Sequence, residues 1–423
     1  MKIYNSLSKR VDAFRPRSAN EVKIYTCGPT VYARPHIGNF RTYVFEDALK
    51  RYLLYQGYRV RHVMNITDID ETVMKETKKT GIARAAIAAK YERLFRQDAA
   101  TLGIMPAGKY PHVSDYVGRM AGAAALLLKT GAAYKDEKCR VFFDISKFPS
   151  YGKLAGKKIR SHGKVTQEEY KPHQAGDFLL LSKCREKKCE KCFETGMGLC
   201  RPAWNVQCAT MAISELGSGI DISMGGQDNL FNHHENTRAI ANTLCGGKFH
   251  EKFSSSGMRR GAPKFHSKRE FSKYYMHVRH LIVDGKKMSK SGGNSVLLPA
   301  LLGKGFSARE ARMLLLSVHY RRRLGFTWGY AHKIKLRSIA IRKDMSMLRG
   351  AHGENREGFA RFADDARKEF EASLDDNMDV PSALRVAERF ARECADAGLS
   401  KKQAQAALAL LRRFDSVLGC LPI

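Results

Sequence analysis

Residues Val22–Cys27 (VKIYTC) are rich in β-branched and aromatic side chains and read as a short buried strand, while Tyr58–Asn65 (YRVRHVMN) alternates and reads as the next one. Between them a Gly-Pro turn leads into apolar residues at helical spacing from about Phe40 to Gln56. This strand–helix–strand unit predicts an α/β fold that opens a parallel, doubly wound sheet. Cys27 and Asn65 then stand at carboxyl ends of strands, where such sheets bind ligands. Residues 83–130 read as helices. From Ala132 to Arg201 come short strands (Arg140–Ile145), lysine-rich loops and grouped cysteines, which read as an insertion between two halves of a nucleotide fold. Gly219–Met224 and His277–Val283 read as further strands. Between them Glu251–Tyr275 sets Lys252, Arg259, Arg260, Lys264, Lys268, Arg269 and Lys273 against only Glu251 and Glu270, and reads as a basic loop. From Ser307 onward Ala, Leu and Arg recur at helical spacing, as in a helical bundle. The expected units are 1–131, 132–201, 202–250, 251–276, 277–310 and 311–423.

Composition narrows the class. With 43% hydrophobic residues in 423, the chain is globular. Its longest apolar runs, such as Ala123–Leu128, are too short to cross a bilayer, and Met1–Asn5 has no signal-peptide core, so no membrane partner and a cytoplasmic location are expected. A formal charge of +32 favours a polyanionic partner. Of ten cysteines, four lie in Cys184-x4-Cys189-x2-Cys192-x7-Cys200, a grouping that suggests metal rather than disulfides, with reduced thiols as the alternative.

Two peptides carry the clearest chemistry. His36-Ile37-Gly38-Asn39 stands at the predicted start of the first helix, where free N–H groups and the dipole favour phosphate. His36 and Asn39 are three apart and face one side of the first turn, and Gly38 lets adenine approach the backbone. Far downstream, Lys287-Met288-Ser289-Lys290-Ser291 beside Gly292-Gly293 offers two ammonium groups on a hinged loop. Together they suit a grip on an ATP triphosphate from two sides, with Mg²⁺ accompanying the nucleotide. In Gly225-Gly226-Gln227-Asp228 a turn with an acid suits a ribose hydroxyl or a substrate amine, a plain turn being the alternative. Trp204 walls a small pocket or belongs to the core. Cys27, Cys208 and His233 are too distant in sequence for spacing to unite them. If they converge, two thiolates and an imidazole leave Zn²⁺ one open tetrahedral position for an incoming thiolate.

The stretches Thr26–Tyr32 (TCGPTVY), His36–Asn39, Asn65–Asp70 (NITDID), Lys147–Gly156 (KFPSYGKLAG), Phe231–Asn236 (FNHHEN), Lys287–Ser291 and Asp375–Leu384 (DDNMDVPSAL) resemble the cysteinyl-tRNA synthetases, a class I synthetase family. The resemblance runs from residue 1 to about 420. It implies a Rossmann-type catalytic domain with an inserted connective region and a C-terminal helical bundle, and ATP-dependent joining of cysteine to tRNA. It implies that Cys27, Cys208 and His233 hold a zinc that binds the substrate thiol. It also implies nucleotide contacts at Gly28, Thr30, Thr42, Asn65, Thr67, Trp204, Gly226, Asp228 and Leu281, with catalysis by His36, Asn39, Lys287 and Lys290. The chain departs from the family pattern at several positions. Thr237 replaces a glutamate that is usually the fourth zinc ligand, Asn205 and Gln207 replace a His and a Glu, and Ser223 and Met224 replace a His and a Gly. The family's anticodon-binding domain would normally follow Ile423. The related cysteine ligase of mycothiol synthesis also ends there, and it too has Thr at the position of Thr237. Two alternatives therefore accompany the main expectation. One passes activated cysteine to a small-molecule amine; the other is a non-catalytic RNA-binding paralogue, which Asn205, Gln207 and Ser223 favour and His36, Lys287 and Lys290 oppose.

Overall fold

A computed structural model of the chain describes residues 1–156, 176–184, 192–246, 270–283, 285–288 and 293–423. After a small hairpin of β1 (Lys2–Asn5) and β2 (Arg10–Ala13), the chain enters β3 (Glu21–Thr26), α1 (Ile37–Tyr55) and β4 (Arg59–Met64), the predicted unit to within three residues at each end. Helix α1 buries Phe40, Val44, Ala48, Leu49 and Leu53 against the sheet. Its neighbour α3 (Arg84–Thr101), which follows α2 (Glu71–Thr80), sends Phe95 onto Phe40 and Tyr43, with ring centroids 6.2 and 5.4 Å away. Helix α4 (Val117–Lys129) then leads to the insertion.

The insertion is an antiparallel sheet ordered β5 (Ala133–Lys135), β6 (Val141–Phe143), β7 (Phe178–Lys183), β9 (Gly198–Pro202) and β8 (Phe193–Thr195). It overturns the expected cysteine metal cluster. Cys184 and Cys192 are bonded to each other as a disulfide, so their sulfurs are not thiolate donors. Cys200 is a buried free thiol beside the Thr195 hydroxyl at 3.3 Å, and Cys189 lies outside the described residues. The reason is pairing geometry: β7 and β8 flank β9, and both Lys183 and Phe193 are in register with Cys200, which brings the neighbouring Cys184 and Cys192 together.

Helix α5 (Trp204–Leu216) returns the chain to β10 (Ile220–Gly226), α6 (Glu235–Cys245) and β11 (Ser272–Val278). The order β11-β10-β3-β4 is parallel throughout. The first half winds outward from β3 and the second from β10, so the direction reverses between these two strands. Two expectations shift here. The stretch expected as one strand over His277–Val283 is divided, and Ser272–Tyr275, expected as loop, is strand. The break falls at Arg279–His280, where Arg279 N–H donates to the Tyr320 carbonyl and His280 accepts from Leu324 N–H. These bonds pull the chain into a second sheet of β13 (Lys286–Lys287), β12 (Leu281–Val283) and β14 (Leu324–Phe326). Most of the basic loop, residues 251–269, lies outside the described residues.

Helices α7 (Leu298–Gly303) and α8 (Ala308–Leu316) lead to a bundle of α9 (Trp328–Arg349), α10 (Phe359–Asp375), α11 (Val380–Asp396) and α12 (Lys401–Leu418). Two buried arginines fasten α8, the turn after it and the end of the bundle to the nucleotide fold. Arg41 of α1 donates to the carbonyls of Arg279, Leu315, Val318, His319 and Arg322, and burial lowers its pKa to about 10, which leaves it charged at neutral pH. Arg312 pairs with Asp47 of α1 at 2.5 Å and donates to the Leu102 and Leu418 carbonyls. Gly419, at φ 63°, has no Cβ because one would lie 2.9 Å from the Arg312 Nε. Among the described residues no helix is long and apolar enough to cross a membrane.

Asp47 and Arg312 side chains are both fully buried, so removing one strands the charge of the other. Asp47→Ala is expected to destabilise the protein by about 3–5 kcal/mol in urea unfolding. A loss below about 1 kcal/mol would mean that water reaches the guanidinium, as at exposed pairs.

Candidate active site

The cleft opens at the carboxyl ends of β3, β4 and β10, where the winding reverses, and has a volume of about 510 Å³. Its floor is a contact between two backbones. Gly28 crosses Asn65 so closely that a Cβ at Gly28 would lie 1.8 Å from the Asn65 carbonyl oxygen. Gly28 N–H donates to the Asn65 side chain at 3.1 Å, and the Asn65 amide donates to Thr67 Oγ1 at 3.0 Å. Thr67 N–H donates to the Pro29 carbonyl and its own carbonyl accepts from Val31 N–H. The segments Cys27–Val31 and Asn65–Thr67 are thereby locked together.

At one end three soft ligands converge. Cys27 Sγ and Cys208 Sγ are 3.8 Å apart, His233 Nε2 is 3.1 Å from Cys208 Sγ, and all three donor atoms lie within 4.8 Å of one another. Tetrahedral zinc with Zn–S bonds of about 2.3 Å sets its sulfurs about 3.8 Å apart, so the thiol pair already has the spacing that the ion needs. The Cys27 hydrogen bond, with His233 and Tyr25 beside it, holds the Cys208 thiol well below its usual range. The same bond and burial push Cys27 well above it. The bond thus favours the thiolate form of Cys208 and the thiol form of Cys27. Trp204 stacks on the His233 ring, with centroids 3.6 Å apart and planes 11° from parallel.

Behind Cys27 runs a buried relay. His234 Nε2 is 3.1 Å from Cys27 Sγ, His234 Nδ1 is 2.8 Å from His277 Nε2, and His277 Nδ1 is 2.8 Å from Ser6 Oγ. Burial keeps both imidazoles neutral, pushing His277 down to about 3 and His234 well below its usual range. Each neutral ring has one donor, so with Ser6 O–H donating to His277, every N–H points on toward the Cys27 sulfur.

At the other end α1 begins with a capping box. Asn39 N–H donates to His36 Nδ1 at 3.2 Å, and His36 N–H donates to Asn39 Oδ1 at 3.1 Å. An Nδ1 that accepts cannot carry the proton in neutral His36, so Nε2 is an N–H donor. A Cβ on Gly38 would sit 2.9 Å from the His36 ring. Across the cleft Asp228 meets Lys287 Nζ at 2.7 Å and His280 Nε2 at 3.4 Å. The surrounding protein opposes its charge, yet His280 and Lys287 together hold the half-exposed carboxyl well below the usual range.

The cleft brings together Cys27, Gly28, Thr30, His36, Gly38 and Asn39 with Thr42, Asn65 and Thr67. Trp204, Cys208, Gly226, Asp228, His233, Leu281 and Lys287 line it as well. Lys290 lies outside the described residues. Thr237 is buried one turn beyond His233, and its hydroxyl has no hydrogen-bond partner. Gly225 and Gly226 end β10 rather than making a turn. They lack side chains because a Cβ would lie 2.9 Å from the His234 ring and 2.6 Å from Asp228 Oδ1, respectively. Sequence reasoning missed His234, His277, Ser6, Tyr25 and His280. Only the His233-His234 doublet offered a signal.

The profile of the "tRNA synthetases class I (C) catalytic domain" matches residues 13–268 and 262–335. The cysteine–tRNA ligase of Chlamydia caviae is 37% identical over 431 residues, covering 99% of this chain and 86% of that protein. The chain belongs to the cysteine–tRNA ligase family. Another relative, the cysteine–tRNA ligase of Protochlamydia amoebophila, is 34% identical over 432 residues, covering all of this chain and 86% of that protein. Among solved structures, the fold is shared with methionyl-tRNA synthetase of Mycobacterium tuberculosis in complex with methionyl-adenylate (TM-score 0.64, 15% identity, 95% of this chain and 92% of that one). It is also shared with the Agrobacterium radiobacter K84 agnB2 LeuRS–tRNA–LeuAMS complex (TM-score 0.68, 11% identity, 96% and 85%). This cysteine–tRNA ligase relationship agrees with the expected fold class and family.

The contact at Gly28 has a simple consequence. Gly28→Ala is expected to cost about 1–3 kcal/mol of stability through overpacking. Gly122→Ala, in open space on α4, is expected to add about 0.5–1 kcal/mol. Urea midpoints of the two variants check both signs; an equal response would show that the floor of the cleft yields.

Proposed function

We propose that the chain is an ATP-dependent ligase that activates cysteine as cysteinyl-AMP and transfers it to tRNA. The observation that carries this reading is one cleft holding a thiol-seeking Cys27–Cys208–His233 cluster beside the N-terminus of α1. The first step is attack of the cysteine carboxylate oxygen on the α-phosphorus of ATP. A carboxyl–phosphate anhydride forms, the bond to the bridging oxygen breaks, and pyrophosphate leaves with the electron pair. In the second step a terminal ribose hydroxyl of tRNA attacks the activated carbonyl, loses its proton, and AMP departs.

His36 Nε2–H and the Asn39 amide donate to phosphate oxygens, aided by the N–H groups of the first helical turn. Lys287 and Lys290 match the charge that grows on the departing pyrophosphate. Gly28, Gly38 and Gly226 admit the nucleotide to the backbone, while Thr30, Thr42, Asn65, Thr67, Trp204 and Leu281 wall it. Asp228, kept ionised, accepts from the substrate ammonium or a ribose hydroxyl. Mg²⁺ accompanies ATP. Zinc held by Cys27, Cys208 and His233 would take the substrate thiolate at its fourth position, which favours cysteine over the harder hydroxyl of serine. Thr237 adds no charge there, and the His234–His277–Ser6 relay orients a donor onto Cys27. The +32 charge suits tRNA, and the proposed reaction suits a cytoplasmic protein.

The deciding assay offers purified tRNA and labelled cysteine to the metal-loaded protein. Stable attachment to tRNA is expected, with zinc in the purified protein that is lost in Cys208→Ala. Cysteine-dependent ATP–pyrophosphate exchange without tRNA charging would instead point to a small amine as acceptor, and absence of both would leave a non-catalytic RNA-binding protein. Lys287→Ala is expected to slow pyrophosphate exchange at least ~10-fold, about 1.4 kcal/mol of transition-state stabilisation, with little change in the KM for cysteine. An unchanged exchange rate would remove Lys287 from the phosphate grip.

A further inference from the structure

Helix α9 (Trp328–Arg349) is the longest in the described chain, and only one of its sides is packed. Ala331, Ile334, Ser338, Ile341, Met345 and Leu348 recur at threes and fours and are buried against α8, α11 and α12. On the other side Trp328, Leu336, Ile339 and Met347 are 40, 52, 44 and 46% exposed. At about 100° per residue, these four together with His332 and Lys343 fall within roughly 100° of the helix circumference, nearly opposite the buried arc. They form one ridge about 28 Å long, at about 1.5 Å per residue. Seven large apolar side chains stand exposed among the described residues, and the remaining three, Val11, Leu54 and Ile82, are scattered over other elements. Single exposed apolar residues need no explanation, but four aligned on one ridge do.

The helix itself brings mostly positive charge to the ridge, and two of its arginines already meet acids of neighbouring helices, Arg337 with Glu388 at 2.7 Å and Arg342 with Glu310 at 3.5 Å. The helix carries Lys333, Lys335, Arg337, Arg342, Lys343 and Arg349 against Asp344 alone. Lys333, Arg342, Lys343 and Arg349 are exposed, while Asp344 is only half-exposed. Lys304 sets its ammonium over the Trp328 ring at 4.8 Å. Trp, Met and Arg are residue types that anchor protein interfaces.

We propose that this ridge docks an amphipathic helix of another protein, with apolar residues on its seam and carboxylates along its flanks. A second copy of the chain fits poorly, because it would bring like charges together on chains of net charge +32. An RNA backbone would satisfy the lysines and arginines, yet it would press phosphates onto Leu336, Ile339 and Met347, which offer them no donor. A helix lying along the ridge buries the apolar side chains and meets the cations with acids. No residue of α9 lines the active-site cleft, so docking leaves that cleft open.

The test uses the full chain and a synthetic helix of about 21 residues, matched to the ridge length, with Leu at helical spacing and Glu elsewhere. Binding is followed by the emission of Trp328, corrected with Trp328→Phe. A blue shift saturating at micromolar peptide is expected, absent with polyglutamate. The double variant Leu336→Glu/Ile339→Glu is expected to weaken binding at least ~30-fold, by burying like charges and losing apolar contact. Its circular dichroism and ATP–pyrophosphate exchange should match those of the parent, because both positions are exposed. No saturable shift, or equal binding by the variant, would overturn the proposal. So would concentration-dependent dimerisation lost in the variant, which would assign the ridge to a second copy. Weakened tRNA binding by the variant with unchanged peptide affinity would overturn it too, in favour of RNA.

Discussion

At the crossing of Gly28 over the Asn65 carbonyl there is room for no side chain at all. It places the two segments that carry Cys27, Thr30, Asn65 and Thr67 into the cleft. Cys27 lies one residue before the crossing and Thr30 two residues after it, while Asn65 and Thr67 belong to the opposite strand end. The crossing brings the soft ligands at the tip of β3 alongside the capped start of α1. The Cys27–Cys208–His233 cluster and the start of α1 then line one cleft. A wider crossing would leave the same residues present and no longer in range of one substrate.

The electrostatics follow the same division. At the thiol end burial removes charge: His234 and His277 are neutral, and the Cys27 thiol is pushed well above its usual range. At the other end charge is kept, because His280 and Lys287 hold the half-exposed Asp228 ionised. A neutral, oriented relay suits a soft metal–thiolate contact. Retained charge suits a substrate carrying an ammonium and a triphosphate. Arg41 ties helix α1 to the end of α8 and the turn after it, and Arg312 ties α1 to the bundle at the Leu418 carbonyl.

Much of the nucleotide fold was legible in the chain. The β3–α1–β4 unit stands where apolar spacing put it, because local pattern and tertiary burial agree there. The His36 and Asn39 peptide was legible as a helix start, since a capping box is a local device. The departures have tertiary causes. Val278 and Leu281 look like one strand by composition, but the bonds from Arg279 to Tyr320 and from Leu324 to His280 divide them between two sheets. Cys184 and Cys192 look like metal ligands by spacing, but strand register sets them side by side.

By itself the sequence determined the β3–α1–β4 unit, the helix start at His36–Asn39 and the family, because these depend on neighbours a few residues apart or on motifs that survive as strings. Only the tertiary structure decided that Ser6, His277, His234 and Cys27 form one hydrogen-bonded line, for they come from four separate segments. It also decided which side of the helix Trp328–Arg349 is left uncovered. Periodicity shows that a helix has apolar residues on two sides, but only packing shows which of those sides has found its partner.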